Sequence, residues 1–170
     1  MLASSDIQYR DFGGVTALQG FLRANYMHVR KEVVVISVFD GDEAGQKSIR
    51  DLHGFYGTKG GFNGNFDYVV VPGKAAIESL FPDEWVLSAH RQHPSWFEYI
   101  IPDAAGGVTD FKLSGTSKKA FKNFVLELCE QSTDYEFLER FDPLITTLEA
   151  CLKSRIAKLW PHSAYLEGAS

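Results

Sequence analysis

Residues 33–45 read Val-Val-Val-Ile-Ser-Val-Phe-Asp-Gly-Asp-Glu-Ala-Gly: an aliphatic run broken by one serine, then two aspartates around a glycine. Apolar residues without alternation predict a strand over 33–39 that is buried on both faces, as in a parallel sheet. Gly41 allows a turn, and Asp42 with Glu43 ahead of Ala44 to Leu52 predicts the start of a helix. Carboxylates at the C-terminal end of such a strand point into the crevice where open α/β sheets bind ligands. Asp40 and Asp42 are therefore candidate hard-oxygen ligands for Mg²⁺ or Mn²⁺. Gly45 lies in the first turn of a helix whose N-terminus favours a phosphate. A plainer reading of the same residues is a helix cap, with Asp42 capping and Glu43 in the first turn.

Working outward, residues 7–12 (IQYRDF) predict a short strand, Gly13-Gly14 a turn, and Val15, Leu18, Phe21 and Leu22 a helix by their spacing. Downstream, the glycine- and asparagine-rich stretch 54–66 predicts a loop or irregular hairpin. Tyr68 to Val71 predict a strand ended by Pro72-Gly73, and Ala75 to Phe81 a short helix. The order βα, βα, βα implies an α/β fold with a mostly parallel sheet flanked by helices. Residues 83–111 read as mixed loop and short elements. Two helices then follow, one with the stripe Phe121, Phe124, Val125 and Leu128, the other running from Phe137 to Leu159. Thr116 or Ser117 is the candidate N-cap of the first. The expected organisation is an α/β core over 1–115 and a C-terminal helical extension over 116–170.

The chain has 170 residues, 45% hydrophobic and 14% aromatic, enough for one domain with a sizeable core. A net charge of −5 argues against coating nucleic acid by bulk electrostatics. It leaves open an enzyme that meets phosphate through metal ions, since such a site needs carboxylates. No apolar stretch reaches the roughly 18 residues of a membrane span. No signal peptide is expected from MLASSDIQYR, and Cys129 and Cys151 suggest neither a disulfide framework nor a zinc site. The expected location is the cytoplasm.

These segments together resemble the TOPRIM domain of primases, topoisomerases and overcoming-lysogenization-defect (OLD) nucleases. The hydrophobic strand with Asp40-Gly41-Asp42 and Gly45 matches its Asp-x-Asp motif. The OLD nucleases are most similar. RDFGGVTALQGFL (10–22) resembles the segment before their Asp-x-Asp strand, VVVPGKAAIESLF (69–81) the segment after it, and SGTSKKAFKNFV (114–125) a later helix that carries a lysine. The resemblance covers roughly residues 7–125. It implies a Rossmann-like TOPRIM fold and metal-dependent hydrolysis of DNA phosphodiesters. Asp40 and Asp42 would be metal ligands, and Glu78 a ligand for a second ion. Lys118, with Lys119 as the alternative, would stabilise charge on the scissile phosphate. Two Mg²⁺ or Mn²⁺ ions would activate water and stabilise the leaving oxygen. The implied partners are DNA, an ATPase domain or separate chain, and a second copy in a homodimer, with no membrane.

The family also has a metal-binding glutamate on an earlier strand and an ATPase domain before TOPRIM. Asp6 and Asp11 are the only carboxylates before the first helix, and no Walker A glycine-rich motif is present. The expectation is a fragment of an OLD-like nuclease. The alternatives are a non-catalytic TOPRIM remnant or dimerisation module, and a haloacid-dehalogenase-like phosphatase with Asp40 as nucleophile. Ala44 stands where such phosphatases usually have threonine or valine. Three further features have two readings. His90 and His93 share a helical spacing suited to metal, but no third ligand is nearby. Gly54 to Gly64 with Lys59 suits phosphate contact or a flexible loop. Trp85, Trp96, Phe97 and Tyr99 suit base stacking or core packing.

Overall fold

A computed structural model describes residues 8–74 and 76–161, with the side chains of 58–60 and 74 outside that description. Ile7, Asp6 and Ala75 lie outside the described residues, as does the side chain of Lys59. The chain forms two compact units, one of residues 1–70 with 147–170 and one of residues 71–146.

In the first unit the Asp11 carboxylate accepts a hydrogen bond from the Gly13 N–H at 2.7 Å. Gly13 and Gly14 follow at φ +68° and +152°, angles that side chains disfavour, so the expected turn forms where only glycine turns easily. Helix α1 (Val15–Val29) begins at once and buries Leu22 and Tyr26. The strand expected over 7–12 is absent from residues 8–12. Among the described residues no neighbouring strand offers it a ladder, and Arg10 instead lies over the rings of Phe12 and Phe21, at 5.0 and 5.3 Å.

The aliphatic run gives a strand shorter than expected: β1 is Ser37–Phe39. It pairs in parallel with β2 (Tyr68–Val70), with Ser37 opposite Tyr68 and Phe39 opposite Val70. β2 is itself only three residues long, so residues 33–36 have no ladder to join. Burial is one-sided as well. Phe39 is buried, whereas Val38 is 38% exposed and Val33 48% exposed. With β1 and β2 forming a two-stranded sheet, the second face lacks the cover of a wide parallel sheet.

Between the strands runs α2 (Glu43–Gly60), longer than the sequence predicts. It continues through Gly54, Phe55 and Tyr56 and breaks its helical geometry at Gly57, where φ is +61°. Tertiary packing outweighs the poor helix propensity of this stretch: the Tyr56 hydroxyl donates to the Leu22 carbonyl at 2.5 Å, and its ring packs on the core. That core is Leu22, Tyr26, Phe39, Ile49, Leu52, Phe62 and Tyr68. Phe62 stacks on Tyr68 at 4.9 Å, and Phe39 meets Tyr68 edge-on at 5.8 Å. Burying one such aromatic or aliphatic side chain stabilises by about 1.5–3 kcal/mol.

The second unit opens with 3₁₀ turns at Pro72–Lys74 and Ile77–Leu80, the latter in place of the helix expected over 75–81. The stretch read as mixed loop is regular: helix α3 (Asp83–Gln92), then an antiparallel pair, β3 (Phe97–Pro102) and β4 (Val108–Leu113). Asp103 forms the turn between the strands, its carboxylate accepting from the N–H of Ala105 at 2.8 Å and of Gly107 at 2.7 Å. Helix α4 (Lys118–Gln131) follows as expected and buries Phe121 and Val125. Ser117 is its N-cap residue, but its side chain makes no capping bond; its hydroxyl accepts from Ser114 at 2.7 Å. A 3₁₀ segment (Glu136–Phe141) and α5 (Asp142–Leu159), which belongs to the first unit from residue 147 on, divide what the sequence predicts as one helix. The second core gathers Val86, Ala89, Leu113, Phe121 and Val125.

The fold is thus mixed α/β with one parallel strand pair and a separate antiparallel pair. Among the described residues, no helix is long and apolar enough to cross a membrane.

Candidate functional site

Asp40 follows the last residue of β1, and Asp42 is the N-cap of α2, so both carboxylates belong to the turn that joins strand to helix. The turn is tight. A Cβ on Gly45 would fall inside contact distance of the Asp40 carbonyl oxygen and only 3.0 Å from its carbon. Glycine is therefore required where the first turn of α2 packs on the end of the strand. The Asp42 carboxylate accepts from the Gly45 N–H at 2.8 Å, and its carbonyl accepts from the Gln46 N–H at 3.0 Å. The capping role is real, and it engages one oxygen of Asp42. Asp40 is partly buried and Gly41 buried.

Glu78 and Lys118, forty residues apart in sequence, meet in the second unit with Nζ 3.7 Å from Oε1. Glu78 is mostly buried, at 17% exposure, while Lys118 is half exposed. The other Glu78 oxygen, Oε2, is buried without a hydrogen-bond partner among the described residues, an arrangement that normally carries a free-energy cost. Lys119 is exposed and makes no ion pair among the described residues. The structure therefore distinguishes the two lysines: Lys118 is the one in contact with Glu78.

The donor chemistry fits a magnesium-type ion. Mg²⁺ commonly takes one or two carboxylates and fills its remaining positions with water and substrate phosphate oxygens. Among the described residues, no group of three or more His, Cys, Asp or Glu side chains is placed to hold a metal. A dedicated all-protein cage of the zinc or calcium type is thus not formed by them, whereas Asp40 and Asp42 are oxygen donors of the kind that Mg²⁺ or Mn²⁺ takes.

The remaining histidine and aromatic candidates contact neighbouring side chains. The His93 ring stacks on Trp96 at 4.0 Å, and His90 meets Phe97 edge-on at 5.1 Å. Trp85, Trp96 and Phe97 lie against the core of the second unit. Tyr99 is exposed and donates its hydroxyl to Asp110 at 3.0 Å.

One polar centre in the first unit is almost invisible in the sequence. Asp67, fully buried, accepts from the Tyr26 hydroxyl and from the Asn63 N–H, the latter at 2.9 Å. The guanidinium groups of Arg30 and Arg155 lie 3.5 and 3.7 Å from the same carboxylate. Arg155, 2% exposed, also donates to the Arg30 carbonyl at 3.1 Å. The Asp67 carbonyl accepts from the Ser37 N–H at 3.1 Å, which ties this cluster to β1 three residues ahead of Asp40. Burial, followed by the bond to Asp67, pushes the Tyr26 hydroxyl well above its ordinary pKa. Only the i, i+4 spacing of Tyr26 on α1 and Arg30 at its C-cap is visible from sequence. No protein-family model, curated protein or solved structure matches the chain.

Proposed function

We propose that this chain is a TOPRIM-like, OLD-type domain that hydrolyses DNA phosphodiesters with Mg²⁺ or Mn²⁺. The observation that carries the reading is the strand–turn–helix at Asp40-Gly41-Asp42. It joins two parallel strands through α2, with Gly45 packed directly on the Asp40 carbonyl. An acidic pair at the C-terminal end of a parallel strand is where open α/β folds place ligand chemistry. The Glu78–Lys118 contact is a second support, because the resemblance picks those two residues from distant segments for the same reaction.

In this reading Asp40 and the oxygen of Asp42 that does not cap the helix hold the ion, and Glu78 is the ligand for a second. When bound, such ions supply a hydroxide nucleophile at neutral pH and neutralise charge on the phosphate. The protein's own contributions are positional and electrostatic. The Asp42 bond to Gly45 fixes the turn. Lys118, the lysine that the resemblance gives to the phosphoryl oxygens, would supply positive charge, and its ammonium lies 3.7 Å from Glu78. The partners in this reading are DNA, an ATPase domain or chain, and a second copy of the chain.

The test is nicking of supercoiled plasmid with Mg²⁺ or Mn²⁺. Asp42→Asn is the informative variant, because asparagine caps a helix about as well as aspartate but is a poor ligand for Mg²⁺. Metal-dependent nicking that disappears in Asp40→Asn and Asp42→Asn proteins of unchanged stability supports the reading. Nicking that persists unchanged in both removes it. A second reading, a non-catalytic TOPRIM remnant or dimerisation module, is favoured by the engagement of Asp42 as a cap. It predicts no metal-dependent nicking by the wild-type protein, and loss of stability only in Asp42→Ala.

A further inference from the structure

The loop that leads into β2 reads Phe62-Asn63-Gly64-Asn65-Phe66. Its own backbone holds it in place. The Asp67 N–H donates to the Asn63 carbonyl at 2.8 Å, and the Asn65 N–H donates to the Tyr68 carbonyl at 2.9 Å. The Asn63 N–H donates to the buried Asp67 carboxylate at 2.9 Å. Two groups stay unengaged. Neither the Asn63 side-chain amide nor the Gly64 N–H has a hydrogen-bond partner among the described residues. Both residues are exposed. A Cβ added to Gly64 would stand only 3.3 Å from the Tyr68 hydroxyl. The packing of the loop thus favours the one residue without a side chain directly after Asn63.

We infer that Asn63 is a deamidation site in the folded protein, and that its isoaspartyl product loosens the hold of this loop on Asp67. The chemistry needs a side-chain amide free to turn, a following backbone nitrogen free to lose its proton, and no Cβ on the residue that carries that nitrogen. All three meet at residues 63 and 64. The Gly64 nitrogen gives its proton to solvent hydroxide and attacks the carbonyl carbon of the Asn63 side chain. A C–N bond forms, the bond from that carbon to the amide nitrogen breaks, and ammonia leaves with a proton from water. The resulting succinimide takes up one water. Opening at the side-chain carbonyl gives aspartate, and opening at the main-chain carbonyl gives isoaspartate. The other asparagines of the chain, Asn25, Asn65 and Asn123, are followed by Tyr26, Phe66 and Phe124, whose side chains obstruct the attack. In the isoaspartyl form the chain runs through Cβ and Cγ, and the former Asn63 carbonyl becomes part of a free carboxylate. The bond from the Asp67 N–H loses its geometry, and a negative charge is added beside a loop that already holds a buried carboxylate. The site is independent of the residues proposed for hydrolysis, so either assignment can fail without the other.

The experiment is incubation of the full chain at mildly alkaline and mildly acidic pH, folded and in urea, followed by peptide mass spectrometry. Isoaspartate is read separately, by methylation with an isoaspartyl methyltransferase. The other three asparagines are internal controls. Asn63→Gln is the resistant variant, because glutamine must close a larger ring; it is an exposed change whose fold circular dichroism checks. The expected result is exchange of one ammonia for one water at Asn63 alone in the folded protein, faster at alkaline pH, with methylation that is lost in Asn63→Gln. The isoaspartyl form, separated by its extra negative charge on an anion exchanger, should show faster amide hydrogen exchange over residues 67–71 than unaged protein. No conversion of Asn63 in the folded protein, or equal conversion at all four asparagines, overturns the site. An isoaspartyl form with unchanged exchange over 67–71 overturns its effect on Asp67.

Discussion

Replacing Arg155 with methionine removes a guanidinium from a buried carboxylate while keeping most of the side-chain volume. Asp67 has no contact with water, and its charge is balanced by Arg30 at 3.5 Å and Arg155 at 3.7 Å. Breaking a buried pair by removing one partner typically costs about 3–5 kcal/mol, because the remaining charge is left uncompensated. Here Arg30, the Tyr26 hydroxyl and the Asn63 N–H remain, which places the expected loss near the lower end, about 3 kcal/mol. The lost bond from Arg155 to the Arg30 carbonyl is part of that cost. Against a domain stability of roughly 5–15 kcal/mol this is a large fraction. Because the chain has two units, the readout should be local: amide hydrogen exchange of peptides from α1 and α5, with α4 as the internal control. A 3 kcal/mol loss accelerates exchange through opening on the order of 100-fold. In the double variant with Asp67→Asn, part of the loss should be recovered, a coupling of about 1–3 kcal/mol. An Arg155→Met protein with unchanged α1 and α5 exchange would refute the reasoning. So would a double variant in which the two losses simply add.

Three further outcomes follow from the geometry. Tyr26, raised above its ordinary pKa by burial and Asp67, must stay neutral in the fold; its contribution is complete below about pH 10 and is lost as pH rises beyond that value. Alkaline unfolding followed by circular dichroism should therefore be shallower above pH 10 in Tyr26→Phe than in wild type. Asp83 is held below the usual carboxylate range chiefly by its bond to Arg140, with the Val108 N–H assisting against partial burial. Its contribution is present above about pH 4 and is lost as pH falls through the lower folded value, so Asp83→Asn should flatten the acid limb of unfolding. Gly45→Ala drives a Cβ into the Asp40 backbone and should destabilise by about 1–3 kcal/mol in urea titration while lowering metal-dependent nicking. Unaltered stability would mean that the turn is looser than described.

The parts of the fold legible in the sequence are those whose causes are local. The Gly13-Gly14 turn, the start of α2 at Asp42 and the apolar stripe of α4 each depend on residues within one or two turns of chain. The extent of β1 does not. Seven strand-forming residues say nothing about how many will find a partner, and β2 offers three positions. The α2 extension is hidden because its cause, Tyr56 bonding to Leu22, lies 34 residues away. The β3–β4 hairpin is obscured by irregularities between Phe97 and Tyr99 and between Ile101 and Pro102, which break the alternation that announces a strand. In the candidate site, Asp40 and Asp42 stand out because a contiguous motif carries them. Their setting does not, since the Asp67 cluster beside β1 draws on residues 26, 30, 63 and 155.

The bond from Arg155 to the Arg30 carbonyl spans 125 residues of chain. The first unit is discontinuous, joining residues 1–70 to residues 147–170 across the whole of the second. As the chain emerges from the ribosome, Asp67 must wait for Arg155 through the synthesis of the whole second unit, which is contiguous and free to fold earlier. The strand that ends in Asp40 is anchored through Asp67. The candidate metal turn is therefore fixed only after Arg155 has been made, so a chain stalled before that residue would retain the acidic motif without the framework that holds it.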